Sequence, residues 1–142
     1  MIGSMAITAD DRYLFMSDTG NGDVNHFTVS DGRMIKHYRQ ILSGGIRSLI
    51  TTPDSKYLFA GGNDGDLMQI CIETQQLAQI YMGIHDRQIY CLETTRDSKY
   101  VITGCWDKRV KIISIENRAV EKDFGQVCGG YITAMKISAN EE

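Results

Sequence analysis

The sequence lacks a surplus of charge of either sign: 15 Lys and Arg stand against 18 Asp and Glu, for a formal charge of -3. A surface dedicated to nucleic acid normally carries a clustered basic excess, so none is expected here. No apolar run is long enough to span a bilayer, so no membrane partner is expected either. Residues 1–10 have neither the basic head nor the apolar stretch of a signal peptide. The four cysteines, at 71, 91, 105 and 128, show no C-x-x-C spacing, and no His sits beside them in a zinc-like pattern. The expectation is a soluble cytoplasmic or nuclear protein whose cysteines are reduced and packed as small hydrophobes.

What the sequence does have is globular composition, 42% hydrophobic and 23% charged, and an internal repeat. Thr8-Ala9-Asp10-Asp11-Arg12-Tyr13-Leu14-Phe15 aligns with Thr52-Pro53-Asp54-Ser55-Lys56-Tyr57-Leu58-Phe59 and with Thr95-Arg96-Asp97-Ser98-Lys99-Tyr100-Val101-Ile102. Upstream, Ile2, Ile46, Ile89 and Ile132 hold the same register. Each is followed three residues later by Met5, Leu49, Leu92 or Met135. Downstream, Val24, Leu67 and Val110 recur, then Phe27, Ile70 and Ile113. The units are approximately 1–44, 45–87 and 88–130, with a stub at 131–142.

Each unit reads as four short strands, which in the second unit fall at 46–51, 56–60, 67–72 and 76–81. Asn63-Asp64-Gly65 has the chemistry of a tight hairpin turn. The last stretch also fits helical spacing through Leu77, Ile80, Tyr81 and Ile84. Only Met34/Leu77/Val120 and Tyr38/Tyr81/Phe124 recur among the copies, and a spacing of four suits one strand face, so strand is expected. Tyr100-Val101-Ile102 and Val110-Lys111-Ile112-Ile113 place apolar residues on both strand faces, so each sheet needs a neighbour on either side. Four-stranded units of this length point to an all-β fold. The architecture expected is a β-propeller segment of three four-stranded antiparallel blades plus the first strand of a fourth.

Over essentially the whole chain the units resemble the WD-repeat family of propellers. In the third unit His85 takes the place of the family's Gly-His histidine, Thr103 that of the Ser/Thr on the second strand and Asp107 that of the turn aspartate. The resemblance implies that these three lock the blade by hydrogen bonds. The family's Trp-Asp pair is replaced by Ile113-Ser114, Ile70-Cys71 and Phe27-Thr28, so the units are degenerate. Propellers close with about four to eight blades. The sequence is therefore expected to be part of a larger protein, with absent blades supplied by the same or another chain. Made alone, it is expected to self-associate through its open apolar faces.

No catalytic set, cofactor site or metal site is expected. His85 beside Asp86 is better explained by the blade lock than by acid–base chemistry. Gly61-Gly62-Asn63-Asp64-Gly65 lacks the Lys and helix of a phosphate loop, and Asp18-Thr19-Gly20-Asn21-Gly22-Asp23 lacks the ligands of a calcium loop. Arg33, Lys36, His37 and Arg39 form the one basic cluster, on an outermost strand where charge discourages edge pairing.

The resemblance places Trp106, Tyr90 and Gln88 on the top surface, with Arg47 and Asn63 in the second unit and Tyr131 in the stub. These are candidates for holding a protein or peptide partner, since Trp, Tyr and Arg are enriched among interface hot spots. Equally, Trp106 can cover the edge of its own blade and Tyr90 can pack inward. The function expected is a non-enzymatic interaction scaffold. Alternatives are part of a lactonase-like propeller enzyme, which shares the Pro-Asp-Ser-Lys-Tyr element, and a purely structural platform in a multidomain protein.

Overall fold

The structure is a computed structural model that describes residues 1–127, 129–130, 132 and 134–138. Twelve strands run in chain order, and no helix occurs among the described residues. Blade one is β1 (Ile2–Ile7), β2 (Tyr13–Asp18), β3 (Val24–Thr28) and β4 (Met34–Tyr38). Blade two is β5 (Ile46–Thr51), β6 (Tyr57–Gly62), β7 (Leu67–Cys71) and β8 (Gln76–Tyr81). Blade three is β9 (Ile89–Thr94), β10 (Tyr100–Cys105), β11 (Arg109–Ser114) and β12 (Ala119–Gln126). Each blade is one antiparallel sheet with strands in sequence order.

The repeated Thr-x-Asp turns explain why the hairpins form where they do. Thr8, Thr52 and Thr95 each donate a hydroxyl hydrogen bond to Asp10, Asp54 and Asp97, all at 2.6 Å. The next residue, Asp11, Ser55 or Ser98, takes a positive φ near 60° to reverse the chain. In the second unit the inner and outer strands lie at the expected bounds. β6 begins one residue later than expected and continues to Gly62, because Ile46 and Ser48 of β5 extend the pairing to Gly62 and Gly61.

Blade two is buried on both faces, as its unbroken apolar strands require. Leu58, Ala60, Met68 and Ile70 join Phe15, Val24 and Tyr38 of blade one in a first core. Phe59 and Leu67 join Ile89, Leu92, Val101 and Ile113 of blade three in a second. Alternation along β6 thus feeds two cores from one strand. The first strand β5 contacts β1 on one side and β9 on the other, so the blades fan outward from an inner edge to β4, β8 and β12. Blade one leaves Met5 and Ile7 exposed, and blade three leaves Val120 and Phe124 exposed.

The expected first strand of a fourth blade differs from the reading. Ile132 is buried and its amide donates to the Cys105 carbonyl, yet the described residues of the stub form no strand. A strand requires a hydrogen-bonding neighbour, and no second strand stands beside these residues among those described. Ile132 nonetheless docks against Gly104 as Ile89 docks against Gly61, so the blade-to-blade contact recurs without the ladder. Cys71, Cys91 and Cys105 are free thiols, and Cys128 lies outside the described residues.

Candidate functional site

One end of the blades carries the β2–β3, β6–β7 and β10–β11 turns and the starts of the inner strands; this is the top face. In each blade the second residue of the inner strand meets the residue that follows the second strand or lies next to its end. In blade one these are Gly3 and Thr19, where a β-carbon on Gly3 would lie 2.7 Å from the Thr19 methyl. In blade two they are Arg47 and Asn63, joined by a hydrogen bond from Arg47 Nε to Asn63 Oδ1 of 3.3 Å. In blade three they are Tyr90 and Trp106, whose rings stack at 4.8 Å between centroids and 1° between planes. The Arg47 guanidinium lies 5.4 Å above the Tyr90 ring, so a cation–π contact joins the two blades.

The backbone fixes these side chains. The amides of Thr19, Asn63 and Trp106 donate to the carbonyls of Met1, Gly45 and Gln88, one equivalent bond per blade. Asn63 also donates from Nδ2 to the carbonyls of Gly44 and Thr19, tying blade two to blade one. Trp106 and Tyr90 are half-buried and Arg47 is only partly exposed. Trp106 forms a wall shared by two clefts. One, of about 510 Å³, is lined by Asn63, Asp64, Asp86, Arg87, Gln88 and Trp106. The other, of about 490 Å³, runs past Asp107, Lys108, Arg109 and Gln126. Tyr131, the sixth residue expected here, lies outside the described residues.

Beneath the stack sit His85, Thr103 and Asp107. Gly65, with a φ of +85°, lets the chain bearing His85 close on it: a β-carbon there would strike the His85 carbonyl. His85 Nδ1 is 2.8 Å from Asp107 Oδ2 and Nε2 is 2.6 Å from Thr103 Oγ1. Burial lowers the imidazole pKa against the pull of Asp107, so the ring is neutral, with Nδ1–H donating and Nε2 accepting from Thr103. Burial would raise the Asp107 pKa. The hydrogen bonds from His85 and from the Arg109 and Asp86 amides outweigh it and hold the carboxylate ionised.

Sequence reasoning missed the thiol in this cluster. Cys105 Sγ donates to the Arg87 carbonyl at 3.1 Å and receives the Asp107 amide at 3.3 Å. The donor atoms of His85, Cys105 and Asp107 lie within 4.8 Å of one another. As a metal set they fit poorly, because both ring nitrogens are engaged and burial pushes the Cys105 thiol up to about 12. Arg87, on both clefts, was also missed; it sits in a loop, where the strand repeat gives no register.

The geometry is that of repeated, interlocked four-stranded sheets, and the comparisons agree with it. The model of the WD domain, G-beta repeat, matches residues 32–69 and 77–114, together more than half of the chain. The chain belongs to the WD40 repeat family. Each matched WD40 repeat starts in or near the outermost strand of one blade and runs into the third strand of the next, so the sequence unit straddles two sheets. Among solved structures, it is similar to the RRP9 WD40 repeats, with a TM-score of 0.79 at 17% identity over 87% of this chain. It is equally similar to U3-55K, with a TM-score of 0.79 and 17% identity. The matched part spans 38% and 39% of those two chains. No curated protein matches the sequence. WD40 membership supports a protein-interaction scaffold in general.

Proposed function

We infer that this chain is a non-enzymatic scaffold that holds a peptide segment of a partner protein on its top face, against Trp106, Tyr90 and Arg47. The observation carrying this reading is the layered stack of guanidinium, phenol and indole, set across two blades beside two clefts. Trp, Tyr and Arg concentrate binding energy when they are held rigid and partly desolvated, and this stack is both. Gln88 and Asn63 contribute polar groups at the rim of the same cleft. In the WD40 reading His85, Thr103 and Asp107 serve the blade rather than chemistry, since each already satisfies another.

Replacing Trp106 and Tyr90 together by Ala tests the reading. Partner capture is expected to be lost while the thermal unfolding transition stays cooperative. Collapse of the fold would assign the pair to covering their own blade instead.

A further inference from the structure

We propose that Arg47 is an oxyanion-reading subsite, so that the peptide held on the top face is one bearing an acidic side chain opposite it. This rests on the scaffold reading above and names the chemistry of its partner. Arg47 uses Nε on Asn63 and the face of its guanidinium on Tyr90. Its two Nη groups bond to nothing among the described residues, and no carboxylate there pairs with it. Asp64 accepts from Ser43, Asp18 from the Met1 amino group and the Gly20 amide, and Asp107 from His85, while Asp86 on the adjoining cleft forms no ion pair with Arg47.

An arginine locked at Nε and stacked on a ring has lost its side-chain freedom before any partner arrives. It then offers a planar fork of N–H donors suited to a carboxylate or phosphate oxyanion. The ordering cost of binding is correspondingly small. A nucleic-acid backbone fits the surroundings poorly, because Asp64 and Asp86 line the adjoining cleft and the chain is net negative. A single acidic side chain opposite Arg47, with its neighbour lying in the Trp106 cleft where Arg87 stands between Asp64 and Asp86, suits this mixed surface.

The test presents the whole chain to a phage-displayed library of random peptides. It runs in parallel for the wild type, Arg47→Gln, Arg47→Glu and Trp106→Ala, each first checked for an unchanged melting transition. The wild type is expected to enrich Asp or Glu at one position, Arg47→Gln to lose that enrichment and Arg47→Glu to favour Lys or Arg there. The best peptide is expected to bind Arg47→Gln roughly tenfold or more weakly, the scale of a charge-assisted hydrogen-bonded pair. A peptide with phosphoserine at that position distinguishes the sources: tighter binding assigns phosphate, weaker binding carboxylate. If the wild type selects no peptide, the scaffold reading itself fails. If peptides are selected without acidic preference, if Arg47→Gln keeps it, or if a poly-uridine strand competes equally in an Arg47-dependent way, the subsite falls while the scaffold stands.

Discussion

The side chain of Ile89 occupies the space a β-carbon on Gly61 would need, with Cγ2 2.7 Å from that position. The Ser48 hydroxyl fills the other side and donates to the Ile89 carbonyl at 3.0 Å. Between blades one and two the bond comes from the second strand instead: Ser17, at the position of Gly61, donates to the Ile46 carbonyl at 3.3 Å, so at both junctions a serine of one blade holds the inner strand of the next. Gly61→Ala forces blades two and three apart. It is expected to cost about 1–3 kcal/mol, the range for overpacking a filled interior, in urea unfolding. The exposed Gly32, with nothing within 4 Å of its added β-carbon, is the control for mere loss of glycine, although its φ of +68° adds local strain.

Asp107→Ala removes the acceptor of the buried His85 Nδ1–H. With side chains only 0% and 7% exposed, water replaces the bond poorly. A loss of about 2–3 kcal/mol is expected in chemical denaturation, and Thr103→Ala should cost less because its hydroxyl meets only the accepting nitrogen.

His26 is 1% exposed, stacked on Phe15 at 4.3 Å, and both its ring nitrogens lack a hydrogen-bond partner among the described residues. Burial, aided by the charge of Lys36, lowers its pKa from 6.5 to about 4. The unfolded chain therefore binds the proton first as pH falls. The contribution of His26 is full above pH 6.5 and is lost progressively down to about pH 4, on the order of 3 kcal/mol in all. In blade two the equivalent residue is Gln69, which accepts from Tyr81 Oη at 2.9 Å, whereas the matching Tyr38 hydroxyl has no partner among the described residues. His26→Gln is expected to give Tyr38 an acceptor and to flatten the fall in melting temperature between pH 6.5 and 4, which pH-stepped calorimetry reads.

Tyr90 supports both Arg47 and Trp106, so its ring matters and its hydroxyl does not enter the stack. Tyr90→Phe should leave peptide affinity within about twofold. Tyr90→Ala should weaken it roughly tenfold, through loss of the stacking and cation–π contacts. Fluorescence anisotropy of a labelled peptide separates the two.

The architecture was legible because its causes are local and repeated. Thr-x-Asp turns, the recurrent inner-strand isoleucine and strands apolar on both faces all lie within one unit, and copies arbitrated the ambiguous fourth strand. The site was legible only in outline. Trp106, Tyr90, Arg47 and Asn63 were placed on one surface by matching positions. That Arg47 of one blade lies over Tyr90 of the next depends on how blades meet, which no single unit encodes. Cys105 resembled a packed small hydrophobe and proved to be hydrogen-bonded into the His85 cluster. The unpartnered His26 is likewise invisible without its cross-strand surroundings.

Trp106 is the sole tryptophan, so its emission reports directly on the top face. Titrating the wild-type chain with a library-selected peptide should shift or quench that emission along the same saturation curve as binding measured by calorimetry, and Arg47→Gln should move both curves together. Saturable binding that leaves the indole emission unchanged would put the partner elsewhere on the molecule and contradict the account.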